Sequence, residues 1–308
     1  MNKAKSITVF SPASVSNVGP GFDVLGFPLE GVGEEVSVTR REDEQYVLST
    51  EGADLPNDPD KNVAAVAIKS LCSAKDHTGG FDIHIVKHFT PGSGLGSSAS
   101  SAVGAVFAVN ELMGWGLTRE ELIPFALDGE YVASGGRHAD NIAPCMLGGF
   151  VGVTSCDPFD AYQIPFPEDL KVLIILPEVV VKTAEARAIL PKELSLSDGI
   201  QQWATMGGLV TGLVTNDYDR IKKSLSDLVA TPYRKELIPG FDEVQGMALK
   251  ANALGCNISG SGPAMFAFFR DQDDVILLQK KISIFYEGKD IPVKFFESKV
   301  NPRGVELA

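Results

Sequence analysis

The chain has 308 residues, of which 44% are hydrophobic and 22% charged; this excludes a disordered or fibrous polymer and gives enough chain for about two domains. Its 27 Lys plus Arg against 40 Asp plus Glu leave a net charge of −13. That field repels nucleic acid and anionic membrane, so neither is an expected partner, and any bound phosphate needs a local site that overcomes it.

The opening MNKAKSITVFSPASVS has no apolar run of signal-peptide length, and no stretch approaches about 18 continuous apolar residues. A soluble, cytoplasmic protein is the expectation. Ile7, Val9 and Phe10 begin an apolar strand. Val36 and Val38 alternate with polar neighbours, and YVLST follows a charged turn, which predicts a hairpin or meander. Residues 62–74 are Ala-rich with helical spacing. Phe81, Ile83 and Ile85 alternate as one face of a strand. PGSGLGSSAS comes next, and then AVGAVFAVNELMG, which predicts a long buried helix. Residues 118–134 predict another, with Thr118 and Glu121 spaced as a capping box.

KVLIILP over 171–177 is a continuous apolar run of central-strand length. Helical patterning then covers 182–190, 198–214, 219–229 and 242–254, and AMFAFF and PVKFFES are strand-like. The Pro- and Asp-rich segment 157–170 is the candidate domain boundary. Strand signals with segregated helices predict an α+β fold rather than a doubly wound sheet. Cys72, Cys145, Cys156 and Cys256 show no CxxC and no clustered His, so buried free thiols in a reducing compartment are expected.

The chemistry is concentrated in Pro91–Ser100. Gly92, Gly94 and Gly96 permit positive φ and close backbone approach to a ligand, and Ser97, Ser98, Ser100 and Ser101 follow at the start of a helix. Backbone amides and hydroxyls there, aided by the helix dipole, suit an anion such as phosphate. No Lys follows the last glycine as in a P-loop, and Ser97 takes the third glycine position of a dinucleotide fingerprint. A flexible Gly/Ser linker rarely sits between an alternating strand and an apolar helix.

Residues 91–99 resemble the signature Pro-x-x-Gly-Leu-Gly-Ser-Ser-Ala of the GHMP small-molecule kinases. Three further blocks extend the resemblance: SPASVSNVGPGFDVLG (11–26), GEYVASGGRHADNIAPCMLGGF (129–150) and NISGSGPAMFAFF (257–269). The first two are similar to the homoserine kinase form of the family. The resemblance implies an N-terminal α+β ATP-binding domain over 1–160 and a C-terminal ferredoxin-like domain over 161–308. The final strand is free to return to the first domain, and the active site lies between the two. It implies ATP-dependent phosphorylation of the side-chain hydroxyl of L-homoserine, with Mg2+, and a homodimer as the family expectation. Phosphate and nucleotide contacts fall on Asn62, Pro91, Gly92, Ser93, Gly94, Leu95, Gly96, Ser97, Ser98, Ala99, Ser100 and Ser101, and the metal on Ser98 and Glu130. Substrate contacts fall on Asn17, Asp23, His138, Asn141, Thr183, Arg187, Arg234 and Gly260.

Taken without the resemblance, Glu130 reads as a surface carboxylate, Asn17 and Asp23 as turn residues around Gly-Pro-Gly, and RHADN as a polar loop. Thr183 and Arg187 share a helix face at i and i+4. Several members of the family place a catalytic Asp in the block equivalent to 134–142, and the homoserine kinase form places an Asn there. Both Asp140 and Asn141 are present, and a one-residue shift exchanges their roles; Asn141 is taken to orient the hydroxyl, with Ser98 and Glu130 as its catalytic companions. Lys235 is read as a surface charge. The alternatives are another GHMP kinase, such as a mevalonate kinase, and a non-catalytic ligand-binding homologue.

Overall fold

The computed structural model describes residues 5–270, 273 and 275–308. β1 (Ser6–Val18) and β2 (Gly21–Arg40) are joined by Gly19 and Pro20 and run antiparallel, with register shifts at Pro12/Ser14 and Ser16/Val18. β3 (Tyr46–Glu51), α1 (Val63–Ala74) and β4 (Phe81–Lys87) form a crossover in which β3 lies parallel to β4. The expected hairpin between EEVSVTR and YVLST is therefore corrected. The second half of β2 pairs with β4, and β3 takes the outer edge, because a helical crossover delivers parallel neighbours.

α2 (Ser97–Met113) is buried on nearly every face. Its small residues let it lie directly on the sheet: a Cβ on Gly104 would meet Val36 Cγ2 at 2.7 Å. Ser11 and Ser100 exchange hydroxyl-to-carbonyl hydrogen bonds of 2.7 and 2.8 Å across that contact. α3 (Arg119–Ser134) starts with the capping box of Thr118 and Glu121. α4 (Ala139–Leu147), β5 (Phe150–Cys156) and β6 (Phe159–Ile164) follow, with β5 paired to the first half of β2 and to β6. α4 occupies the stretch read as a polar loop; behind its polar start, Ile142, Ala143 and Met146 are fully buried. A boundary at 160/161 would cut β6, which belongs to the first sheet; the chain changes sheets over 165–169.

β7 (Leu170–Pro177) begins the second sheet. α5 (Thr183–Ala188), α6 (Leu196–Val214), α7 (Tyr218–Lys223), α8 (Thr231–Arg234) and α9 (Phe241–Lys250) lead to β8 (Gly255–Ile258) and β9 (Met265–Arg270). α10 (Ile276–Glu287) and β10 (Val293–Lys299) complete it in the antiparallel order β10-β7-β9-β8. That order is ferredoxin-like, and the α+β class holds. α7 covers only the start of the helical stretch expected over 219–229.

The run KVLIILP is apolar throughout because both faces of β7 are covered. Leu173 and Ile175 pack with Val244 and Ile282 from α9 and α10, whereas Val172 and Ile174 face Phe27 and Phe150 of the first sheet. In that inter-sheet core the Phe27 ring lies 4.9 Å from Phe150 and 5.4 Å from Phe268. After β10 the chain returns to the first sheet. Asn301 donates its N–H to Pro28 O, Val305 donates to Cys145 O, and β11 (Glu306–Leu307) pairs with β1. Arg119 grips Val305 O at 2.7 Å. All four cysteines are free; Cys156 is only half-buried. Among the described residues no helix is long and apolar enough to cross a membrane.

Candidate active site

A cleft of about 300 Å³ lies where the β1–β2 turn, the glycine loop, the start of α4, α5 and the loop after β8 converge. Gly92, Gly94 and Gly96 all take positive φ, of 77°, 83° and 63°. At Gly94 and Gly96 the space is also closed. A Cβ would meet Ser259 O at 2.6 Å in the first case and Ser14 Oγ at 2.1 Å in the second. Gly96 gives α2 no side-chain cap, so the first-turn amides face the cleft without a protein side chain to satisfy them.

The serines of the loop divide by helical geometry. Ser98 Oγ donates to Glu130 Oε2 at 2.5 Å. Ser97 and Ser101 turn inward to Lys87, whose ammonium donates to Ser97 Oγ at 2.6 Å, Ser101 Oγ at 2.8 Å and Glu34 Oε1 at 2.5 Å. Ser100 is spent on Ser11. The expectation that all these hydroxyls surround an anion is corrected: only Ser98 offers its hydroxyl beside a cleft carboxylate. Leu95, Ala99, Ser100 and Ser101 are buried side chains that hold the loop from beneath. Burial pushes the Glu34 carboxyl up and the Lys87 ammonium down, each opposed by the other's charge.

Asn62 departs further from expectation. Its Oδ1 accepts from the N–H of Ala64 and Ala65, and its Nδ2 donates to Pro56 O at 3.0 Å. It is the buried N-cap of α1 and does not line the cleft. Pro91, Gly92, Gly94, Gly96, Ser97 and Ser98 do line it, and Ser93 is buried.

Opposite the glycine loop stand the residues expected to take a substrate. Arg187 on α5 makes a bidentate pair with Asp23, at 2.6 and 2.9 Å. Arg234, 3% exposed, donates to Ala186 O at 3.0 Å and Gly260 O at 2.8 Å. Both guanidinium groups lie over the Phe22 ring, at 5.3 and 5.2 Å, a platform the sequence reading missed. Asn17, at φ 59°, donates to Gly260 O and accepts the Asp23 N–H. The Gly260 carbonyl is thus taken twice, and its N–H goes to Ser16 O. Gly260 holds the wall of the cleft rather than offering free polar atoms to a substrate. Thr183 Oγ1 lies 3.4 Å from Ser261 Oγ. Lys235 pairs with Asp242.

Asn141 is fixed at both ends of its amide: Oδ1 accepts from Ser14 Oγ and Nδ2 donates to Ser16 Oγ, each at 2.9 Å. Burial, aided by the Arg187 charge, lowers the His138 imidazole below its ordinary value. Asp140 also lines the cleft. Burial, and then the Asp23 charge, push its carboxyl from an ordinary 3.8 up to about 7. The folded state therefore binds this proton more tightly than the unfolded chain. The stability from this group is full below about pH 4 and is lost as the pH rises through 7. Asp140→Asn is accordingly expected to gain melting temperature over the parent as the pH climbs from 5 to 8. A difference that stays flat across that range in thermal melts would remove the buried charge as its cause.

Among the described residues no group of three or more His, Cys, Asp or Glu is placed to hold a metal. Ser98 and Glu130 are, however, two hard oxygen donors in contact beside an anion-seeking helix start. This fits a Mg2+ ion that takes its other ligands from phosphate and water.

Residues 62–149 match the family described as GHMP kinases N terminal domain, and residues 209–288 match GHMP kinases C terminal. A homoserine kinase of Chloroherpeton thalassium is 47% identical over 277 residues, 86% of this chain and 87% of its own length. One of Methanococcus maripaludis is 38% identical over 97% of each chain. The crystal structure of a homoserine kinase from Cytophaga hutchinsonii superposes with a TM-score of 0.95 at 41% identity, covering 100% of this chain and 99% of that one.

Proposed function

The chain belongs to the GHMP kinase family, in its homoserine kinase branch, and we propose that its cleft transfers the γ-phosphoryl group of ATP to the side-chain hydroxyl of L-homoserine. The observation that carries this reading is the pairing of two anion-binding walls across one cleft: uncapped amides of α2 on one, suited to phosphate, and two arginines over Phe22 on the other, suited to a carboxylate. The triphosphate lies along 91–98. The base rests in the adjoining cavity that shares Pro91 and Gly92 with the cleft and is edged by Phe89, Val179 and Val180. Ser98 and Glu130 hold Mg2+, which when bound neutralises phosphate charge. Arg187 and Arg234 take the homoserine carboxylate, Asp23 and His138 face its ammonium, and Asn141 orients the hydroxyl.

In the reaction the hydroxyl oxygen bonds to the γ-phosphorus, the bond to the bridging oxygen breaks, ADP leaves, and the alcohol proton passes to a phosphoryl oxygen. A carboxamide clamped by Ser14 and Ser16 cannot remove that proton. A loose phosphoryl-transfer transition state needs little of it removed, so positioning and charge supply most of the catalysis. ADP release measured with homoserine, mevalonate, galactose and shikimate tests the reading; turnover of mevalonate or shikimate in place of homoserine would overturn it, and no turnover of any would favour a ligand-binding role.

The arginines separate substrate from nucleotide. A planar guanidinium grips a carboxylate bidentately, which Lys cannot reproduce. Losing a charge-assisted hydrogen bond costs about 1.5–3 kcal/mol, roughly 10- to 100-fold in kcat/KM. Arg187→Lys and Arg234→Lys are each expected to weaken homoserine use by that factor and leave the KM for ATP nearly unchanged, with Lys235→Ala as a silent control. Raised KM for ATP with homoserine KM intact would show that these arginines serve the nucleotide.

A further inference from the structure

We infer that the Asp23–Arg187 ion pair is a placeholder for the two charges of an amino-acid substrate. On binding, the substrate carboxylate takes the place of Asp23 on Arg187, and its ammonium takes the place of Arg187 on Asp23. This deepens the homoserine reading and rests on it. The pair joins residues 164 apart in sequence, from the start of β2 to α5, and both line the cleft. Its side chains are 41% and 34% exposed, so an entering ligand reaches both. Each partner also has a second anchor. The Asp23 N–H is anchored on Asn17 Oδ1 at 2.8 Å, and the Arg187 guanidinium rests on Phe22. Arg234, held by two carbonyls, has no carboxylate within ion-pair distance among the described residues. It therefore adds a cationic donor beside the exchange without competing for Asp23.

The exchange gains a pair for a zwitterion: one guanidinium–carboxylate pair is broken, and one guanidinium–carboxylate and one ammonium–carboxylate pair form. A ligand with only one charge is treated differently. A hydroxy acid that captures Arg187 strands Asp23, and an amino alcohol that captures Asp23 strands Arg187; an ion deprived of its partner costs more than a contact merely not made. The pair thus selects for both charges at once, beyond what two independent contacts would do.

Two variants and two truncated ligands test this. Asn tolerates the left-handed backbone that residue 23 adopts at φ 60°, so Asp23→Asn keeps the turn. It frees Arg187. By ligand-observed NMR titration it is expected to bind 4-hydroxybutyrate roughly three- to tenfold more tightly than the parent does, while binding homoserine less tightly. Arg187→Gln frees Asp23 and is expected to bind 3-amino-1-propanol more tightly by a similar factor. If Asp23→Asn folds poorly, Arg187→Gln decides alone. A parent that phosphorylates homoserine, with variants that bind the truncated ligands no better than it does, would overturn the exchange and leave the kinase reading standing. A parent that neither binds nor phosphorylates homoserine overturns both.

Discussion

Glu130→Ala is expected to lower kcat by about two orders of magnitude or more while the protein keeps its fold and its affinity for homoserine. Glu130 sits on the cleft side of α3, its carboxylate 2.5 Å from Ser98 Oγ. Its neighbour Gly129 lets α3 approach α1 backbone to backbone, since a Cβ there would clash with the Val63 carbonyl oxygen. The only other donor in the pair is a neutral hydroxyl, so alanine removes the whole negative charge of the metal-holding set. Stabilising the charge that shifts onto the leaving phosphate is worth several kcal/mol in such sites, and each 1.36 kcal/mol is tenfold in rate. Steady-state kinetics over a Mg2+ series checks this. Near-parental turnover at ordinary Mg2+ would take Glu130 out of the metal set.

Lys87→Met is expected to destabilise the protein by about 3–5 kcal/mol and to lower its melting temperature by on the order of 10 °C. The Lys87 and Glu34 side chains are 1% and 0% exposed. Removing the cation strands a carboxylate that burial already makes reluctant to ionise. Glu34 also receives Ser101 Oγ at 2.8 Å and Ser97 Oγ at 3.1 Å, and Lys87 donates to the Ser97 carbonyl at 3.1 Å. The damage therefore reaches the first turn of α2, and the surviving folded fraction is expected to show a raised KM for ATP. Replacing both ions with apolar residues, often harmless elsewhere, would here leave the Ser97 hydroxyl without its two acceptor and donor partners. A variant that melts within a degree or two of the parent would show that the pair contributes nothing net.

Legibility in the sequence followed the range of the interaction. The capping box at Thr118 and Glu121, the glycine loop and the strand at 171–177 are local signals, and each appears where its residues placed it. The parallel partner of β3 was not legible, because alternation in YVLST fits a hairpin and a crossover equally. Lys87 ends the alternating strand that holds Phe81, Ile83 and Ile85, and nothing local joins it to Glu34, 53 residues away. The division of the serines was readable and missed. Positions 97, 101 and 104 lie on one helix face and 98 off it, but α2 is so uniformly small and apolar that no face stood out. Asn62 before an Ala-rich helix is an ordinary N-cap pattern. Asp23 and Arg187 were each singled out as substrate contacts, but only the folded chain brings them against each other.

The route of the last nine residues has a consequence for how the protein is made. β1 leaves the ribosome long before β11, yet they are neighbours, and Val300 and Val305 fill the two cores that the first sheet borders. Domains commonly form in order of synthesis, but here the earliest sheet waits through the whole of the second one for its edge. Nascent chains arrested at residue 299 are therefore expected to be cleaved by protease within β1 and β2, and released chains that include β11 to resist. Equal resistance in both would show that the first sheet closes without its final strand. The same wiring ties α3 to this late segment, because Arg119 reads the backbone at Val305.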